Sequence, residues 1–179
     1  MNFKAVLQEN GAMLSRIVSS YEADPALQQE LLQDVSLAIW QALPKYRGTG
    51  SLKGYVAKVA QNRCITHVGK AVRQPKKAML DDNLPMDGEG LEEAIHRKQQ
   101  RERLLEAVRA LPFPLRQVTT LALEGFSHRE IGDALGISEN NAMVRFSRAK
   151  ASLKKLLKAV GEKEYLGTHK LSTREQANG

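Results

Sequence analysis

The stretch from Leu121 to Leu157, LALEGFSHREIGDALGISENNAMVRFSRAKASLKKLL, restricts the possible folds more than any other part of this 179-residue chain. Ser127 with Glu130 three residues on forms a capping box, the pattern in which two orphan N–H groups at a helix start are satisfied reciprocally. Ile131, Gly132 and Leu135 give the helix that follows a narrow buried face. Gly136 ends it, because glycine accepts the positive φ needed just past a helix terminus. Ser138 is placed to cap a second helix, on which Ala142, Phe146, Ala149 and Leu153 share one side at spacings of four, three and four. The opposite side holds Asn141, Arg145, Arg148 and Ser152. A first helix crossing a second at a small residue, with donors exposed on the second, is a helix-turn-helix.

Charge separates this arrangement from an αα-hairpin in an ordinary helical core. From Ala142 to Lys158 there are six Lys or Arg and no acid, where a merely solvated helix mixes signs. Asn141 and Arg145 suit adenine or guanine edges in the major groove, while Arg148, Lys150, Lys154 and Lys155 suit phosphates. The helix is expected to read DNA. A formal net charge of +7 and a pI near 9.6 favour a polyanionic partner, although charge alone does not separate nucleic acid from an acidic membrane surface.

Other classes of function find few residues to stand on. A single cysteine, Cys64, excludes an internal disulfide and a Cys-cluster zinc site, and it is expected in the core. His67, His96, His128 and His169 are scattered without ligand spacing. There is no P-loop, glycine-rich dinucleotide turn or nucleophile elbow, so no enzymatic activity, cofactor or metal is expected. No apolar run approaches the roughly 20 residues of a membrane span, and the start MNFKAVLQENGAML lacks a signal-peptide layout. A cytoplasmic protein without membrane insertion is expected.

The remaining segments also read as helices. Residues from about Met1 to Tyr21 carry a helical apolar pattern in which Gly11 is the weak point for an unbroken helix, and Asp24-Pro25 suits the start of the next helix. On that helix Leu27, Leu31, Val35, Ala38 and Ala42 form a buried stripe that Leu32 and Ile39 widen, while Glu30, Asp34, Leu37 and Gln41 lie on another face. Lys45 to Lys77 holds nine Lys or Arg and no acid: a loop around Gly48-Thr49-Gly50, a cap at Ser51, and a helix burying Leu52, Tyr55, Val56, Val59, Ala60 and Ile65. Tyr46 and Tyr55 among these cations suit stacking on unpaired bases, although helical spacing fits Tyr55 equally to a core. Ala78 to Ile95 reverses the sign, with six acids and no Lys or Arg, and its Pro85, Gly88 and Gly90 mark a domain boundary.

The expected organisation is therefore all-α, with two small helical domains joined by a flexible linker and a helix-turn-helix in the second. The first domain spans 1–77, the acidic linker 78–92 and the second domain 93–160. A polar tail over 161–179 shows no clear pattern and is expected to be mobile at its end.

With both halves laid out, the chain resembles the extracytoplasmic-function sigma factors, which keep only regions 2 and 4 of the bacterial sigma architecture. The resemblance covers about residues 5–73 and 93–158 and is carried by ELLQDVSLAIWQALPKYRG, SLKGYVAKVAQNRCITHV and the stretch from Ala110 to Leu157. It implies docking of Glu30, Leu31, Gln33, Asp34 and Leu37 on core RNA polymerase. It implies that Tyr46, Arg47, Ser51, Lys53, Lys58, Asn62 and Arg63 engage the melted −10 element, where a flipped base costs a few kcal/mol of unstacking. The −35 element would be read by Asn140, Asn141, Val144, Arg145, Arg148 and Lys150. Departures from the family pattern fall at Ser36, Val56, Asn141 and Met143, and they bear on promoter sequence. The resemblance also implies promoter DNA and an anti-sigma factor as partners, and a monomer when free. The alternative is a free-standing dimeric helix-turn-helix regulator.

Overall fold

Side chains cap the starts of α-helices in both halves of the chain. In this computed structural model, which describes residues 2–71 and 90–176, the Asn2 side chain accepts from the Lys4 N–H at the start of α1 (Phe3–Ser19). The Asp24 carboxylate accepts from Ala26 and Leu27 at the start of α2 (Pro25–Ala42), where proline in the first turn costs no hydrogen bond. A single 3₁₀ turn, Leu43–Lys45, follows. The Ser51 hydroxyl then accepts from the Gly54 N–H at 3.0 Å to open α3 (Leu52–Ala71). After the connecting segment come α4 (Leu91–Arg109), α5 (Phe113–Leu123), α6 (His128–Leu135) and α7 (Glu139–Gln176). No strand occurs among the described residues.

The helices are those expected, with three differences. Gly11 does not interrupt α1, since the helix runs unbroken across it with open space beside its Cα. On α2 the most deeply buried residues are Leu31, Val35 and Ile39, so Ile39, expected to widen the stripe, lies on its central line and Ala38 and Ala42 form its edge. The tail expected to lack pattern continues α7 as far as Gln176, because two separated glycines, at positions 161 and 167, are too weak as breakers to end a long helix. The acidic linker, with Arg73, Lys76 and Lys77 before it, lies outside the described residues except for its last part, where α4 starts at Leu91.

The two halves close on one another. Ile17, Leu31, Val35, Val56, Ala57, Ala60 and Cys64 from α1–α3 form one packed cluster with Val118, Leu121, Phe126, Ile131 and Ala134 from the second half. α3 is the shared wall, with α1 and α2 on one side and α5 and α6 on the other. Its fully buried Gln61 accepts from the Tyr21 hydroxyl at 3.0 Å and donates to the Gln117 carbonyl at 3.2 Å, so both ends of the amide are satisfied. Arg16 donates twice to the Glu124 carboxylate, at 2.7 and 2.8 Å, a bidentate pair in which the Glu124 side chain is 6% exposed. Arg109 donates to the Ser19 carbonyl at 2.9 Å, and the Arg116 guanidinium lies between the rings of Tyr21 and Phe113 while donating to the carbonyls of Arg109 and Leu111 that end α4. Glu22 is fully buried at the same seam, paired with His67 at 2.7 Å and accepting from the Asp24 N–H.

Cys64 sits inside this seam with no exposed surface, and burial pushes its thiol up to about 12. The native chain is expected to resist thiol-reactive reagents at neutral pH and to react only in denaturant. Rapid labelling of the folded protein would show that α3 is not covered from both sides.

Candidate nucleic-acid interface

The helix-turn-helix forms as its sequence dictates. The Ser127 hydroxyl accepts from the Glu130 N–H at 3.2 Å and the Glu130 carboxylate accepts from the Ser127 N–H at 2.7 Å, closing the capping box. These hydrogen bonds, with Lys53 nearby, hold the Glu130 carboxyl below the usual range. Gly136 takes a φ of 69°, and Ile137 donates to the Gly132 carbonyl at 3.0 Å across the turn. The Ser138 hydroxyl then accepts from the Asn141 N–H at 3.0 Å and starts α7. At Gly132 the turn passes so close that an added Cβ would lie 2.7 Å from the Ile137 carbonyl oxygen, which is why the crossing holds a glycine.

On α7, Ala142 and Ala149 are fully buried, and Arg145 and Phe146 are half-buried. Asn140, Asn141, Met143, Val144, Ser147, Arg148 and Lys150 are exposed. The proposed −35 readers therefore share one surface, except that Arg145 is partly withdrawn beside the core. The Lys150 ammonium rests 5.1 Å from the centre of the Phe146 ring, along the flank.

The candidate −10 surface is built by the loop between the 3₁₀ turn and α3. Gly48 and Gly50 take φ values of 76° and 75°, and the Tyr46 hydroxyl donates to the Gly50 carbonyl at 2.8 Å, drawing the loop into a ring. The Tyr46 ring packs 5.1 Å from that of Tyr55, whose hydroxyl donates to the Ala42 carbonyl at 2.9 Å. Tyr55 thus ties the loop to the end of α2, and its buried edge serves packing. Arg47, Lys53, Lys58 and Asn62 are exposed. Besides Tyr46, three of the residues expected to meet DNA carry structural duties too. Ser51 caps α3, Lys53 lies 5.1 Å over the Phe126 ring of the other half, and Arg63 pairs with Asp34 at 3.3 Å.

Between this loop and α6 lies a cleft of about 350 Å³, lined on one side by Thr49, Gly50, Ser51, Tyr55 and Lys58 and on the other by Glu130 and Asp133. Gly54 brings α3 against Phe126 and Ala134 in its floor. The closed chain sets carboxylates opposite the cations assigned to the DNA strand.

On α2, Glu30, Gln33, Asp34 and Leu37 are exposed on a shared face, as expected for a docking surface. Leu31 is not part of it. With no exposed surface, its side chain belongs to the core and cannot touch a partner. Trp40 was missed. It is 57% exposed beside Leu37 at 53%, three residues away on the same helical side, and that spacing was the available signal. No helix among the described residues is long and apolar enough to cross a membrane.

Comparison with known proteins agrees with this layout. The family model described as Sigma-70 region 2 matches residues 6–74, and the one described as Sigma-70, region 4 matches residues 101–153. The chain is 27% identical over 150 residues to the ECF RNA polymerase sigma factor SigM of Mycobacterium tuberculosis, covering 80% of this chain and 69% of that protein. It is 23% identical over 152 residues to SigE of Mycolicibacterium smegmatis, covering 83% of this chain and 55% of that longer relative. In fold it is similar to the sigma factor RpoE of Bartonella quintana, solved in complex with the anti-sigma factor NepR, with a TM-score of 0.62 at 19% identity over 87% of this chain and 98% of that one. Two sigma-70 regions in one short chain, on a fold shared with solved sigma factors, place this protein in the sigma-70 family, as an extracytoplasmic-function sigma factor built from regions 2 and 4.

Proposed function

We propose that this chain is an alternative sigma factor that binds core RNA polymerase, recognises a two-part promoter and helps to melt it. It works as a cytoplasmic monomer until it joins the polymerase, which supplies the chemistry. The observation that carries the reading is the presence, on one chain, of an exposed Leu37–Trp40 pair on α2 and two separate cationic surfaces on α3 and α7. A dimeric helix-turn-helix regulator has no use for the first two.

In this mechanism Leu37 and Trp40, framed by Glu30, Gln33 and Asp34, dock on the polymerase. Tyr46, Arg47 and the Gly48–Ser51 loop take the flipped base, with Lys58 and Asn62 along the strand path, and α7 enters the −35 duplex. The region covering 1–77 serves the polymerase and −10 element, and 93–160 serves the −35 element. Since α6 covers the Gly54 side of α3, the two halves part before both elements are engaged. An anti-sigma factor that favours the closed pair would hold the chain inactive.

Transcription in vitro with purified core polymerase, followed by mapping of start sites, tests the function directly. Lys58→Ala is expected to reduce open-complex formation and to flatten the salt dependence of binding by about one unit, the loss of one phosphate contact. Open complexes that form as before at moderate salt would remove α3 from the strand path.

A further inference from the structure

The exposed row of α7 is not uniform along its length. Steps of four, three and four from Asn140 lead through Val144, Ser147 and Ala151, which at 3.6 residues per turn places all four on one line, opposite the buried Ala142 and Ala149. All four are exposed and none is charged. Arg145 and Arg148 flank the row on one side, and Lys150 and Lys154 on the other. Beyond Ala151 the same line continues as Lys155 and Lys158. Its first half is thus a neutral strip between cationic margins, and its second half is cationic throughout.

An exposed valine alone means little. Val144, 37% exposed at the centre of this strip, stands where a helix in the major groove meets base edges, because the first turns of a recognition helix approach the bases most closely. The chemistry of the strip is selective. Asparagine pairs in bidentate fashion with adenine N6 and N7, an aliphatic side chain packs on the thymine C5-methyl group, and the guanine readers Arg and Lys are confined to the margins. Asn141, on the margin with Arg148, is displaced from the line.

Resting on the region 4 reading above, we propose that Asn140 and Val144 are the specificity-determining residues of the −35 contact. They select adenine–thymine pairs, with Val144 packed against a thymine methyl group. Arg148, Lys150, Lys154 and Lys155 hold the flanking phosphates and carry no sequence preference.

The test uses the full chain assembled with core RNA polymerase. Promoter duplexes are first selected by this holoenzyme from a library randomised at the −35 element, and each −35 thymine is then replaced by deoxyuridine, which removes only the methyl group. At one thymine the replacement is expected to weaken binding about fivefold, the value of one buried methyl group. Val144→Ala is expected to bring the ratio of thymine to uracil affinities at that position close to one, with the salt dependence of binding unchanged. A selected −35 element without thymine, uracil tolerated at every position, or a methyl preference that survives in Val144→Ala would each overturn the assignment. A holoenzyme that selects no promoter at all would instead overturn the sigma-factor reading, and this inference with it.

Discussion

Gly132→Val is expected to lower the melting temperature by roughly 5–10 °C and to abolish −35 binding in the fraction that stays folded. The first atom of the new side chain would meet the Ile137 carbonyl oxygen at 2.7 Å, the Glu139 nitrogen at 3.2 Å and the Ser138 carbonyl carbon at 3.2 Å. All three belong to the backbone of the turn, so no flexible side chain can swing aside, and α6 and α7 must separate at their crossing. The displacement moves Ser138 away from the Asn141 N–H that it caps, and it tilts the start of α7 where the bases would be met. Gly11→Ala is the matched control. It sits within α1 with nothing near the added atom, and alanine there is expected to stabilise the chain by about 0.5–1 kcal/mol. Thermal unfolding of both variants checks the pair; a Gly132→Val protein that melts with the parent would show that the helices do not cross at this glycine.

Trp40→Ala is expected to weaken binding to core polymerase about 30-fold without changing thermal stability. The indole is more than half exposed, so the fold loses little when it is removed, whereas a large aromatic at the centre of a docking face commonly contributes about 2 kcal/mol or more. Leu31→Ala should show the reverse behaviour. That side chain lies wholly inside the first half, and its truncation is expected to cost about 2–5 kcal/mol of stability while leaving the docking face intact. Measured affinities for purified polymerase, set beside melting curves, separate the two effects. Equal affinity for Trp40→Ala and the parent would remove α2 from the polymerase interface.

The contrast between Leu31 and Trp40 shows what a linear sequence conveys. Local signals were legible: the Ser127–Glu130 capping box, the Asp24-Pro25 start of α2 and the left-handed Gly136 are all determined within a few residues of themselves. The two surfaces of α2 were legible as a pattern, and helical spacing already set Leu31 in the buried stripe; the family resemblance alone put it on the docking face, while Trp40, at the margin of that face, was missed. What could not be read was burial imposed from far along the chain. Gln61 appears as a polar residue on a cationic helix, yet it is covered because Gln117, 56 residues later, brings its carbonyl to it. Gly54 and Ala57 were likewise left outside the anticipated buried set of α3, whose far side is occupied by Phe126 and Ala134. The −10 and −35 candidates, by contrast, came from the family resemblance carried by local motifs, and most of them lie exposed.

A core held in common by both halves has a thermodynamic consequence. Val118, Leu121, Phe126, Ile131 and Ala134 give up apolar contacts with α1–α3 whenever the chain opens, and the Arg16–Glu124 pair is lost with them. Opening is then an equilibrium whose midpoint depends on competing ligands: polymerase and promoter draw it one way, and whatever grips the seam draws it the other. Promoter affinity scales with the open fraction, so a substitution at the seam would tune transcriptional output without touching any residue that meets DNA.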